Sequence, residues 1–132
     1  MTAPSSHEAT DAQKHRRGFD RIRHAAGYSI AGLRAAWPQA AFRTEALLAV
    51  VMLPAACWLG RGWLERVVLA GTVMLVLIVE LLNTGIEAAI DRIGPEWHAL
   101  SKQAKDMGSA AVLLALLLCG AAWISALVSR FS

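Results

Sequence analysis

Three long apolar stretches dominate the pattern of hydrophobic and polar positions in this chain. They cover residues 42–59, 64–90 and 107–129, and the last includes 22 consecutive residues, Met107 to Val128, without an ionisable group. A helix needs about 20 apolar residues to cross a hydrocarbon layer about 30 Å thick. The pattern therefore predicts three transmembrane helices.

A different pattern precedes the first of these stretches, between residues 19 and 37. Large apolar residues recur there at steps of three and four, which places them on one stripe of a helix, and arginines lie off the stripe. A basic amphipathic helix of this kind is typical of the membrane interface. We therefore predict an all-α membrane protein with three transmembrane helices and an N-terminal amphipathic surface helix.

Composition excludes the other broad classes of protein. The chain of 132 residues is 56% hydrophobic and only 17% charged, which is too apolar for an ordinary soluble domain. Two cysteines are too few for a disulfide framework or a zinc cluster. Residues 1–17 are polar, so we expect a disordered tail there and a single membrane domain over residues 18–132.

The basic residues predict the orientation of the chain in the membrane. Ten lysines and arginines lie in the N-terminal region and the second loop, against three in the first loop and at the C-terminus. Positive charge collects on the cytoplasmic side. The N-terminus and the second loop should therefore face the cytosol, and the net charge of +3 suits an anionic lipid surface better than a nucleic acid.

An acidic row on the third segment is the first candidate site. Glu80, Asn83, Glu87 and Asp91 recur at steps of three and four and therefore share one helical face. Ionised carboxylates within a membrane segment are costly and mark functional sites. One could act as a base and another as a metal ligand, but a proton path or an ion site would use the same residue types.

A second group of polar residues lies on the same side of the membrane. Lys105, Asp106 and Ser109 come immediately before or at the start of the last apolar stretch. Lysine can hold a phosphate, and a carboxylate can hold magnesium or orient the lysine. The combination indicates nucleotide chemistry, although the chain lacks the glycine-rich phosphate loop of the usual soluble kinases.

These segments also resemble a known family. The strings ELLNTGIEAAIDR at 80–92, EWH at 96–98 and AKDMGSAAV at 104–112 are similar to the signature of the bacterial integral-membrane diacylglycerol kinases. The resemblance extends upstream through AAGYS at 25–29, GLRAAW at 32–37 and AFRTE at 41–45. It covers residue 18 to the end of the chain.

The resemblance implies a homotrimeric helical bundle in the bacterial inner membrane, with active sites shared between neighbouring chains. It implies transfer of the γ-phosphate of MgATP to the hydroxyl of diacylglycerol, giving phosphatidic acid in phospholipid recycling. By position, the catalytic residues would be Glu80, Asn83, Lys105 and Asp106. The ATP-binding residues would be Arg21, Tyr28, Glu87, Glu96, His98, Lys105 and Asp106. The lipid-binding residues would be Arg21, Ser29, Arg43, Glu45, Glu80, Ser109 and Trp123.

One departure from the family pattern concerns the implied magnesium site. Glu87 matches one glutamate ligand, but the chain reads Trp37-Pro38-Gln39-Ala40 where the family usually has the other, and Gln39 is the nearest counterpart. An amide oxygen still ligates a hard cation, with one negative charge fewer. Glu45 is an alternative ligand.

Two other functions share part of this evidence. An undecaprenol kinase would have the same fold and the same polar pattern. The local sequences around Asp91 and Asp106 are more similar to those of the diacylglycerol enzymes. A small channel or assembly subunit would explain Glu80, Asn83 and Glu87. It would not explain Lys105, Asp106 and His98.

Overall fold

The computed structural model describes residues 18–132, and this part of the chain consists of four helices without a strand. They are α1 (Phe19–Ala36), α2 (Ala40–Leu59), α3 (Trp63–Ile93) and α4 (Ala99–Phe131). The last three are long and apolar enough to cross a membrane. The all-helical prediction with three spans is confirmed, while the predicted tail lies outside the described residues.

The start of α4 corrects the predicted boundaries. The sequence pattern indicated a polar loop up to Asp106, whereas the helix already begins at Ala99. Hydropathy marks where a helix enters the membrane, but polar residues can extend the same helix outside it. Here His98 Nδ1 accepts a hydrogen bond from the Leu100 amide (3.2 Å), and Lys102 pairs with Asp106 one turn later (2.5 Å).

The described chain divides at Ala35 into two compact units. The first is essentially α1, which has Asp20 in its first turn and Arg34 in its last, as the helix dipole favours. Its apolar side chains, among them Phe19, Ile22 and Ile30, are exposed. These features fit the amphipathic helix that the sequence predicts.

In the second unit, α3 lies between α2 and α4 and packs against both. Two buried clusters hold the three helices together, and small residues provide most of the contact between helix backbones. One cluster contains Ala49, Val73, Val76, Ala115 and Cys119, and the other contains Ala56, Leu59, Leu69 and Ala126. The face of α3 that continues this packing carries the acidic row.

Polar contacts within the apolar region fix α3 against α4. The Trp123 indole Nε1 of α4 donates a hydrogen bond to the Leu69 carbonyl of α3 (3.3 Å), which also accepts from Thr72 Oγ1 (2.9 Å). At the end of the bundle, the Arg61 guanidinium donates to the Ser129 carbonyl. These contacts set the register between the two helices, and that register determines which residues meet at the candidate site.

Candidate functional site

Three polar residues on successive turns of α3 form the centre of the site. Glu80 is 5% exposed and Asn83 is 8% exposed, while Glu87 is half-buried. Their spacing of three and four places them on the face that α3 turns towards its neighbours. Burying charged and polar groups costs free energy, so a membrane-spanning helix seldom retains them without a function. This face is therefore the principal functional candidate within the spans.

A cavity of about 260 Å³ lies beside these residues. Elements from all three long helices line it, since Gln39 and Ala41 come from the start of α2 and Ser109 and Val112 from α4. Gln39 is the N-cap residue of α2, but its side chain makes no capping hydrogen bond. Five of the predicted site residues therefore line one cavity: Gln39, Glu80, Asn83, Glu87 and Ser109.

The Asn83 side chain links two parts of this cavity. Its Nδ2 donates a hydrogen bond to Glu87 Oε1 (3.3 Å). Its Oδ1 is buried against Gly108 of α4 and has no hydrogen-bond donor among the described residues. The amide is thus oriented with its donor towards Glu87 and its acceptor towards α4.

A third carboxylate comes from α2. Glu45 is half-buried, and its Oε2 has no hydrogen-bond donor in the described part of the chain. It lies within electrostatic range of Glu80. Arg43, two residues closer to the start of α2, is exposed.

An ion-pair network borders the site where α3 ends and α4 begins. Lys105 Nζ lies 2.6 Å from Asp91 Oδ1, and Lys102 Nζ lies 2.5 Å from Asp106 Oδ2. The neighbours Lys105 and Asp106 therefore have different partners. The spacing of Lys102 and Asp106 in the sequence could have indicated their pair, but nothing local pointed to the pairing of Asp91 with Lys105.

Glu96 and His98 lie in the connection between α3 and α4. They line a separate cavity of about 570 Å³ together with Ile93, Gly94, Pro95, Trp97, Leu100 and Ser101. His98 also caps α4 through its Nδ1, as described above. Within one chain, these two residues do not line the carboxylate cavity.

The remaining predicted site residues lie elsewhere. Arg21, Tyr28 and Ser29 belong to α1, where the Ser29 hydroxyl donates to the Ala25 carbonyl (3.0 Å). Trp123 packs between the two hydrophobic clusters and contacts Leu69, not the carboxylate cavity. The sequence did not indicate this hydrogen bond between α4 and α3.

The oxygen ligands in the cavity suit a magnesium ion that is bound together with a nucleotide. The described residues contain no cluster of three histidine, cysteine or acidic side chains that could hold a metal by itself. Magnesium bound with a nucleotide needs only one or two carboxylates, because phosphate oxygens and water complete its coordination. Glu87 and Gln39, which both line the cavity, can supply such a partial set.

The fold and site define a small integral-membrane helical protein with a carboxylate-lined cavity. Residues 27–127 match the model of the family described as Prokaryotic diacylglycerol kinase. A protein of Escherichia coli (strain K12) named Diacylglycerol kinase is 54% identical over 86% of this chain and 94% of its own length. Proteins of the same name from Pseudomonas aeruginosa and Helicobacter pylori (strain 26695) are 47% and 41% identical, over 87% and 81% of this chain and 94% and 84% of their own lengths. The chain belongs to the prokaryotic diacylglycerol kinase family.

Proposed function

We propose that this chain is an ATP-dependent diacylglycerol kinase that forms phosphatidic acid at the cytoplasmic face of the bacterial inner membrane. The observation that carries the proposal is the buried Glu80 beside Asn83 and Glu87 on a membrane-spanning helix. The hydroxyl of diacylglycerol lies at the headgroup level, and a base just inside the interface can reach it. The family membership supports the same reaction.

In the proposed reaction, Glu80 accepts the proton of the diacylglycerol hydroxyl. The hydroxyl oxygen forms a bond to the γ-phosphorus of ATP, the bond from that phosphorus to the bridging oxygen breaks, and ADP leaves with the electron pair. Asn83 positions the reacting groups next to Glu80, and its hydrogen bond to Glu87 holds its amide in place. Such reactions depend mainly on positioning and on charge stabilisation.

Magnesium is the proposed cofactor, with Glu87 and Gln39 as its protein ligands. When bound with ATP, it neutralises charge that develops on the phosphate oxygens. Glu45, within range of Glu80, is the alternative carboxylate for this role. Gln39 lines the same cavity as Glu87, which supports its assignment over Glu45.

The nucleotide is proposed to bind at the polar end of α3 and α4. Lys105 and Asp106 lie there, with Glu96 and His98 in the connection and Arg21 and Tyr28 on α1. Lys105 is held by Asp91, but a lysine has three donors, so it can hold a phosphate at the same time. The ion-pair network would thus present a basic group to the triphosphate.

The lipid is proposed to contact residues closer to the membrane. Ser109 lines the carboxylate cavity beside Glu80, which supports its assignment directly. Ser29, Arg43, Glu45 and Trp123 complete the proposed set, together with Arg21. For Trp123, this role would be additional to its hydrogen bond with Leu69.

A homotrimer with shared sites is part of the proposal. The carboxylate cavity and the cavity at Glu96 and His98 are separate within one chain. A neighbouring chain that brought its loop to the carboxylate cavity would complete one site from two chains. The large apolar side chains exposed on α2 and α4 provide surfaces for such contacts as well as for lipid.

Phosphate transfer from labelled MgATP tests the proposal, with the purified protein in mixed micelles and with diacylglycerol and undecaprenol offered separately. We expect product from diacylglycerol, and a decrease of at least about 10²-fold in kcat for Glu80→Gln, as the loss of a general base predicts. Glu65→Gln is the matched control, because Glu65 lies at the other end of the same helix, where it accepts a hydrogen bond from the Arg61 amide.

Three results would contradict the proposal. Product from undecaprenol alone would assign the sister activity, and no product from either lipid would remove the kinase function. Equal activity of the Glu80→Gln and Glu65→Gln variants would remove the base.

A further inference from the structure

We propose that Gly108 of α4 is a positioning residue, which sets the orientation of the Asn83 amide in the carboxylate cavity. The inference rests on the proposed function, because it assigns Gly108 a role in phosphate transfer. Gly108 has no side chain that could contact a substrate. It acts through the space that it leaves for Asn83.

The contact between the two residues is unusually close. Gly108 is buried, and a methyl group at this position would lie 3.2 Å from Cγ of Asn83 and would overlap its Oδ1. Only hydrogen fits between the α4 backbone and the amide oxygen. The oxygen, which has no hydrogen-bond donor among the described residues, is therefore held by packing against α4.

The other glycines within the two helices do not share this feature. Gly71 and Gly85 of α3 and Gly120 of α4 have no atoms within 4 Å of the position where a side chain would begin. Close approach at Gly108 is thus not a general property of the glycines within α3 and α4. It occurs where α4 passes the polar row of α3.

The contact has a direct consequence for the neighbouring carboxylate. With Oδ1 against α4, the Nδ2 group points to Glu87 and donates its hydrogen bond over 3.3 Å. A methyl group at residue 108 would displace Oδ1, because the end of a side chain rotates more easily than a packed helix moves. That rotation would break the bond to Glu87 and take the amide away from Glu80.

The test compares Gly108→Ala with Gly120→Ala, a matched change on the same helix. Alanine is the better helix former, so we expect both variants to fold. We expect Gly108→Ala to lower kcat by about 10²-fold, as a misplaced catalytic group does, with KM for MgATP within about twofold of the original protein. Gly120→Ala should keep kcat within about twofold.

A double-mutant cycle separates positioning from a general structural effect. If Gly108 acts through Asn83, adding Gly108→Ala to Asn83→Ala should lower kcat no further. A Gly108→Ala variant with unchanged kcat, or a double variant in which both losses multiply, would overturn the proposal. If Gly108→Ala fails to fold, the double variant should fold, because the overlapped atom is gone, and failure of both would also overturn it.

A readout that does not depend on activity separates this inference from the proposed function. The NMR signals of the Asn83 side-chain amide should shift in Gly108→Ala and stay in place in Gly120→Ala. If the unchanged protein phosphorylates neither lipid, the proposed function fails and the amide signals still decide the contact. If the signals stay in place in both variants, the positioning role fails whatever the activity.

Discussion

Lys105 of α4 pairs with Asp91 of α3 across the junction of the two helices, although its neighbour in the sequence is Asp106. The pair joins residues 14 positions apart and is partly exposed, with 40% of the lysine side chain and 67% of the aspartate side chain accessible. It therefore holds a basic group in one place at the polar end of the bundle.

Removing the partner of Lys105 should weaken nucleotide binding more than it weakens the fold. In Asp91→Asn, the ammonium is free to leave its position, and we expect KM for MgATP to rise about fivefold, in line with a loss of about 1 kcal/mol. Because the pair is largely exposed, the free energy of unfolding should change by less than about 1 kcal/mol. Steady-state kinetics and thermal unfolding measure both quantities, with Glu65→Gln as the control. An unchanged KM would show that Asp91 has no role in nucleotide binding.

Restoring a carboxylate at position 39 should tighten the magnesium site. Gln39 lines the cavity with Glu87, so Gln39→Glu adds a negative charge where the ion is proposed to bind. We expect the magnesium concentration for half-maximal activity to fall about fivefold, since one nearby charge contributes on the order of 1 kcal/mol in a partly solvated site. Gln103→Glu, on the exposed surface of α4, is the control for the change in net charge. Equal shifts in both variants would argue against a ligand at position 39.

Trp123 should stabilise the bundle through its hydrogen bond to Leu69. Trp123→Phe keeps one aromatic ring and removes the five-membered ring with its N–H donor. We expect a loss of at least about 0.6 kcal/mol of stability, the average for polar contacts between membrane helices, with the lost packing adding to it. Trp97→Phe is the matched control, because Trp97 is 77% exposed. Thermal unfolding compares the two variants, and KM for diacylglycerol shows whether Trp123 also contacts the lipid. Equal unfolding temperatures would remove the structural role of the bond.

The predicted orientation of the chain determines from which side of the membrane an introduced cysteine should react with an impermeant reagent. In a background with Cys57→Ala and Cys119→Ala, we expect Gln103→Cys to react with an impermeant maleimide only from the cytoplasmic side. Gly62→Cys, in the turn between α2 and α3, should react only from the opposite side. Right-side-out and inverted vesicles distinguish these outcomes, and the reverse pattern would overturn the orientation.

Local patterns in the sequence account for the helices and for the centre of the site. Hydropathy predicted three helices long and apolar enough to cross a membrane, and spacing of three and four placed Glu80, Asn83 and Glu87 on one face because helical geometry is local. Hydropathy did not indicate that α4 begins at Ala99, before the predicted span, because its first two turns are largely polar. The ion pair of Asp91 with Lys105 and the contact of Asn83 with Gly108 depend on the register between α3 and α4, which only tertiary packing determines.

The α3 helix fixes the distance between the groups that it carries. Its 31 residues extend about 46 Å, well beyond a hydrocarbon layer of about 30 Å. Asp91 and Glu80 lie 11 positions apart on this helix, so their positions are separated by about 16 Å along the helix axis. A bilayer of different thickness would shift the lipid hydroxyl along α3, whereas the spacing between Asp91 and Glu80 would stay the same. The position of the lipid hydroxyl relative to the Glu80 carboxylate therefore depends on the thickness of the membrane.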